Sequence, residues 1–284
     1  MSAEIVEVIP PEVLSSSAIE SMERAQIDMQ IATAMRYPKH TTMAQLNAVK
    51  QQMLNYATLD IETASSCFYK LPRGGKNIEG PSVRLAEIAI TCYGNIQVGS
   101  RCVECVTSGD SPHVTIQAIA HDLERNVRVV VEKRRRITKK KNKDAIDEDD
   151  INLATNAGAA IAFRDAAFKV VPLALIKPVM DKAKEVAIGD ASTLVDRRAK
   201  AIDAFGKMGV HTPKILARLG RAKIDDIDLS DLETLIGFFT AIKDGQATVD
   251  DVFSEAKNRA PIAMPSALPA DEPEHLEEEK KQAE

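Results

Sequence analysis

The sequence predicts an α+β fold: a three-stranded antiparallel meander packed with helices, plus a small helical C-terminal domain. Three observations carry that expectation. Period-2 alternation of apolar and polar residues is confined to three runs between Ile96 and Arg135, and short polar turns separate them. Helical spacing with capping signals flanks that region on both sides. The composition, 44% hydrophobic and 28% charged, is that of a globular protein. With 284 residues the chain suits one large or two modest domains.

The elements follow in order. Met1 to Ser16 lacks periodicity and contains Pro10 and Pro11, so residues 1–16 are expected to form a mobile arm. Ser17 with Glu20 makes a capping box for a first helix. Ile19, Met22, Ala25, Met29 and Ala32 form its stripe, and Pro38 stops it. Thr42 with Gln45 starts a second helix carrying Met43, Leu46, Val49, Met53 and Ala57. An apolar run at Ser66–Leu71 ends in Pro72-Arg73-Gly74-Gly75-Lys76, and Glu79-Gly80-Pro81 makes a second break. A helix is expected from Pro81, proline being favoured at the first helical position, and Gly94 ends it.

The three strands come next, at Ile96–Val106, Val114–His121 and Val127–Arg135. A small-residue helix from Ile151 to Val171 is stopped by Pro172, and further helices are expected at 173–188 and 190–208. Ser230 with Glu233 caps a last helix. Four prolines then precede an acidic end, predicting a disordered tail. The expected division is an arm at 1–16, an α+β core at 17–189, a helical domain at 190–256 and a tail at 257–284.

Charge is segregated along the chain. The tail from Asp271 holds seven acids against two lysines, the whole net charge of -5. Between Arg125 and Lys143 ten cations face only Glu132, and Asp144 to Asp150 follow at once. Such segregation speaks to partners. A strand extended by Arg128, Lys133, Arg134, Arg135 and Arg136 is a rigid ridge able to neutralise phosphates; a solvated hairpin or a targeting signal is the plainer alternative. Tryptophan is absent and aromatics are 4%, which argues against an aromatic stacking platform.

The catalytic and metal motifs fail on inspection. Gly75-Lys76 lacks the Walker A pattern, because position 70 is Lys and position 77 is Asn. The loop is either an ordinary turn or a phosphate-holding loop bearing Arg73 and Lys76. Cys102 and Cys105 have Cys-x-x-Cys spacing, yet an offset of three on a strand sends them to opposite faces, against zinc. The histidines form no ligand pair, and no metal or other cofactor is expected. Arg164 sits among Ala160, Ile161, Ala167 and Phe168, so an anion should meet it. Lys169 either pairs with Asp165 four residues earlier or contacts phosphate.

No run of ~18 apolar residues exists, and the first residues lack a basic region. The expectation is a soluble cytoplasmic protein with no membrane partner.

The order of an entry helix, a meander with a basic edge, and a helix reading Arg164-Asp165-Ala166-Ala167-Phe168-Lys169-Val170-Val171-Pro172 resembles the core of phage single-strand annealing recombinases, the RecT, Red-beta and Erf group. The segment Leu71 to Glu87 is also similar to phage recombination proteins. The resemblance covers roughly residues 60 to 180. It implies ATP-independent binding and annealing of single-stranded DNA, rings or helical filaments, and residence in the host cytoplasm.

The expected function is therefore DNA binding without catalysis, in phage-type homologous recombination. Arg73, Lys76, Arg84, Arg128, Lys133, Arg134, Arg135, Arg136, Arg164 and Lys169 are expected to converge on the sugar-phosphate backbone. Self-association is expected through the first two helices, which present Met22, Met29, Met43 and Met53, with plain core packing against the sheet as the alternative. The acidic tail is expected either to keep the chain soluble or to compete with DNA for the basic groove, and the C-terminal region to dock a replication or recombination protein. The alternatives are a metal-dependent nuclease using Glu79, Glu87 or the Asp147–Asp150 cluster, and a phage structural or assembly protein.

Overall fold

The three alternating runs pair as one antiparallel sheet in the computed structural model of the chain, which describes residues 11–73, 76–139 and 145–253. Helices α1 (Pro11–Arg36), α2 (Met43–Ala57) and α3 (Ile61–Ser66) lead into a hairpin of β1 (Phe68–Arg73) and β2 (Lys76–Pro81). Helix α4 (Val83–Tyr93) precedes the meander of β3 (Ile96–Val106), β4 (His113–Asp122) and β5 (Val127–Arg136). Helices α5 (Glu148–Val170), α6 (Leu173–Ile188), α7 (Leu194–Lys207), α8 (Thr212–Leu219), α9 (Leu229–Lys243) and α10 (Val249–Phe253) complete the described residues. The fold is α+β, with sheet order β3-β4-β5 and a separate two-stranded hairpin.

Helix α5 covers one face of the meander. Val114, Ile116, Ala118 and Ala120 of β4 bury against Ala154, Ala162 and Ala166. Those alanines allow close approach, and Gly158 allows the closest: a Cβ there would stand 2.9 Å from Ile116 Cγ1. Asp147 caps α5 in a reciprocal box with Asp150, and the three acids of its first turn complement the positive end of the helix dipole.

Two further cores hold the rest. Met53, Phe68, Leu85, Tyr93 and Ile176 join α2, α4 and α6 to the start of β1. Leu71, Phe205, Ile215, Leu235, Phe238 and Val252 join β1 to α7 through α10. Gly237 lets α9 lie directly on β1, where a Cβ would meet Lys70 at 2.8 Å. Beside it Lys70 and Lys184 share Glu233 (2.8 and 3.3 Å) and Glu79 (3.6 and 2.9 Å), tying β1, β2, α6 and α9 together.

A buried polar clasp fixes the α1–α2 connection to the sheet. The His40 ring stacks on Tyr93 at 3.6 Å, its Nε2 lies 2.6 Å from the Tyr93 carbonyl and its Nδ1 is 3.0 Å from Glu124 Oε2, an ion-pair distance without hydrogen-bond alignment. Asn95 and the Lys39 amide donate to Glu124 Oε1.

Several boundaries differ from expectation. Helix α1 already includes Pro11, six residues before Ser17; residues 1–10 of the expected arm lie outside the described residues. The inward stripe of α1 is Ile27, Ile31 and Ala34, while Ala25, Met29 and Ala32 of the expected stripe face outward. The second break is strand β2, with Arg73 paired to Lys76. Ser82 and not Pro81 starts α4, accepting from the Leu85 amide. Asp228 with Asp231 caps α9 two residues before the expected pair. Helices α3, α8 and α10 are too short to announce themselves by periodicity. A single compact unit takes in the described residues, the helices expected at 190–256 among them; the expected tail lies outside them.

Replacing Gly158 by Val should force α5 from Ile116 and cost about 1 to 3 kcal/mol. Thermal unfolding of the variant checks this, with a melting point lower by roughly 2 to 4 °C for each kcal/mol.

Candidate nucleic-acid interface

Strand β5 divides its own cations. Because side chains alternate across a strand, Val129, Val131, Lys133 and Arg135 turn half-buried toward α5, and Arg128, Val130, Glu132, Arg134 and Arg136 stand exposed on the opposite face. Val130 in the middle of that face is 51% exposed, so no helix covers it.

The open face has a defined register. Rows across β3, β4 and β5 read Gln97, His121, Arg128; Gly99, Ile119, Val130; Arg101, Gln117, Glu132; Glu104, Thr115, Arg134; and Val106, His113, Arg136. Arg101 donates to Gln117 Oε1 at 3.1 and 3.3 Å, and Gln117 donates to Glu132 at 3.0 Å. The Thr115 hydroxyl donates to Glu104 at 2.8 Å. That bond, with His113 and Arg134 nearby, holds the Glu104 carboxyl below its ordinary range against a smaller opposing effect of burial. Arg128, Arg134 and Arg136 make no salt bridge among the described residues. Lys139 follows on the same chain, and Lys140, Lys141 and Lys143 lie outside the described residues.

The covered face treats its cations differently. Lys133 Nζ is 2.9 Å from Asp165 Oδ2. Arg164 donates to Asp165 Oδ1 at 2.8 and 2.9 Å and to Gln246 Oε1 at 3.0 Å, and its guanidinium lies 4.8 Å from the centre of the Tyr69 ring. Arg135 donates to the backbone carbonyls of Gly245 and Gln246 in the turn after α9. Burial lowers the Arg135 pKa, Asp251 opposes that shift and Arg73 adds to it. The anion expected for Arg164 is thus its neighbour Asp165, whose carboxyl is pushed up by burial but pulled below its usual range overall by Lys133 and Arg164.

The ten predicted residues therefore do not form one groove. Arg128, Arg134 and Arg136 share the open face; Lys133, Arg135 and Arg164 are joined beneath it, with the charge of Arg73 felt at Arg135. Lys76 is exposed at the hairpin end, and Gly74 and Gly75 lie outside the described residues. Arg84 is on α4, bound to both oxygens of Glu87 at 2.9 Å. Lys169 is exposed on α5, and Asp165 turns to Lys133 and Arg164 instead of to it.

No family model matches the chain, and neither a curated protein nor a solved structure does.

Two features of the face escaped sequence reasoning. Arg101 joins it as a fourth arginine, but its facing is set by pairing with Gln117, which a lone strand does not reveal. A β-bulge lies between Cys102 and Glu104, and the extra residue brings Cys102 and Cys105 to one face, opposite Ile116 and Val114, contrary to the expected opposite faces. Both are exposed free thiols. Cys67 and Cys92 are buried thiols, pushed up to about 12 and about 11 by burial, with Asp60 adding to the first. Among the described residues no group of three His, Cys, Asp or Glu side chains could hold a metal ion, and no helix is long and apolar enough to cross a membrane.

The nuclease carboxylates are dispersed. Glu79 pairs with Lys184, Glu87 with Arg84, and Asp147 caps α5 with Asp150.

The lowered Asp165 pKa has a pH consequence. A depressed carboxylate contributes stability that is present above the unfolded-state value of about 3.9 and is lost as pH falls through the folded-state value. The melting point of the wild-type chain should thus fall on acidification below about pH 4, and Asp165→Asn should start lower at neutral pH and lose less over that window.

Proposed function

We propose that the chain binds single-stranded DNA on the open face of the β3-β4-β5 sheet and anneals complementary strands without ATP, as a non-catalytic protein of phage-type recombination. The observation that carries this reading is the set of four arginines, Arg101, Arg128, Arg134 and Arg136, displayed on a face with no covering helix. A rigid sheet spaces them along and across strands, as backbone phosphates require, and the Gln and Thr between them offer neutral hydrogen bonds. The face lacks Phe, Tyr and Trp, so affinity rests chiefly on phosphate neutralisation and varies little with sequence. Arg84 and the covered cations Lys133, Arg135 and Arg164 serve the fold in this reading; Arg73, Lys76 and Lys169 extend the basic surface.

Self-association accords with α1. Its outward Ala25, Met29 and Ala32, with Met35, Tyr37 and Met43 exposed beyond, form an apolar surface suited to a second copy. A multimer would extend the binding face from one protomer to the next. Residence in the cytoplasm and docking of a recombination partner by the C-terminal region belong to the same proposal.

Fluorescence anisotropy with labelled oligonucleotides across a salt series tests it. Affinity should fall with salt by about 0.7 logarithmic unit for each phosphate contacted. Reversing Arg101, Arg128 and Arg136 to Glu should weaken binding for every sequence and flatten the slope by roughly 2 units. Affinity indifferent to salt, or magnesium-dependent cleavage of the oligonucleotide, would replace the proposal with the structural or the nuclease alternative.

A further inference from the structure

The side of the molecule built by α7 and α9 holds a cavity of about 590 Å3, within the ~300 to 1,000 Å3 of small-molecule sites. The two helices run side by side in the same direction. Arg198 Nε at the start of α7 donates to the Ile227 carbonyl before α9, and Phe205 near its end meets Phe239 edge-on at 5.8 Å. One wall of the cavity is a single face of α9, from Leu232 through Ile236 and Phe239 to Lys243. The eleven rises from Leu232 to Lys243 span roughly 16 Å, so the wall suits an extended ligand.

The space is there because α7 presents Ala201 and Ala204 to it. Interiors otherwise pack to the density of organic crystals, and an apolar void forfeits the dispersion contacts of its lining. Larger side chains at those two positions would fill it. The chain thus leaves apolar wall unfilled where a stability-driven sequence would close it.

The charges at the mouth are unequal in availability. Asp60 is engaged as the cap of α3, accepting from the Thr63 amide and hydroxyl; Arg197 donates to the Ala187 carbonyl. Lys243 is exposed and makes no salt bridge among the described residues. Arg84 lies close by but is held by both oxygens of Glu87, and the Asp244 carboxyl, near Arg84, Glu87 and Lys243, has a buried oxygen and is pushed up by burial. Lys200 stands toward the other end, and Glu62 adds one acid on the α3 side.

We propose that this cavity binds a small amphipathic anion, its apolar body lying along Leu232, Ile236 and Phe239 and its acidic head meeting Lys243. The site lies apart from the open sheet face, and the proposal does not depend on DNA binding.

The full chain titrated with 1-anilinonaphthalene-8-sulfonate, followed by competition with dodecanoate, tests it. One saturable dye site per chain is expected, emptied by dodecanoate. Lys243→Glu should weaken both ligands by about tenfold, the loss of one charge-assisted contact, and Lys200→Glu by less. Ala204→Leu should abolish both while the melting point holds or rises, because it fills the void. Oligonucleotide binding should be unchanged in the Lys243 and Ala204 variants. Dye affinity unaffected by Ala204→Leu in a chain with wild-type melting, dye that dodecanoate does not displace, or no saturable site overturns the proposal. If Ala204→Leu melts early, wild-type affinity in Lys243→Glu alone overturns it.

Discussion

Everything distinctive in this molecule follows from α5 covering one face of a three-stranded sheet and leaving the other bare. A strand in such a sheet has no freedom to place its cations together. Period-2 alternation sends Lys133 and Arg135 under the helix and Arg128, Arg134 and Arg136 into solvent. The contact that enforces this is the approach of Gly158 to Ile116, backed by the alanines on either side.

The two halves of β5 then meet opposite electrostatic demands. A cation turned into the protein costs free energy unless an acceptor meets it. Asp165 satisfies Lys133 and Arg164, and the carbonyls of Gly245 and Gln246 satisfy Arg135. These bonds draw the turn after α9 onto the sheet, which joins the C-terminal helices to the same body as the meander. The outward arginines need no such partners, and water solvates them until an anion arrives. Basic residues adjacent in sequence thus do two different jobs: one set organises the fold and the other stands available to a ligand.

Much of this was legible in the sequence. The three strands, α2 with its Thr42–Gln45 box and the limits of α6 came from periodicity and capping, signals that act within a few residues. The alternation of β5 was legible too, but which face α5 would cover was not, because that depends on a helix more than ten residues away. The same limit explains Asp165, weighed in the sequence only as a partner for Lys169, which turns instead to Lys133 on a distant strand and to its neighbour Arg164. It also explains Arg101 and the cysteine pair, whose facing is set by pairing across β3 and β4 and by one bulged residue. The C-terminal helices gave no sign of joining the sheet, since Gly237, Gly245 and Gln246 make their contacts with residues far away in the chain.

The most direct test of the divided strand compares its two neighbouring arginines, Arg134→Glu and Arg135→Glu, in oligonucleotide anisotropy and in thermal unfolding. Arg134→Glu should weaken single-strand binding and melt like the wild type, whereas Arg135→Glu, with the Gly245 and Gln246 carbonyls left facing a carboxylate, should lower the melting point. The opposite pattern, with binding lost at an unchanged melting point in Arg135→Glu and intact in Arg134→Glu, would contradict that division and move the nucleic-acid interface to the covered face.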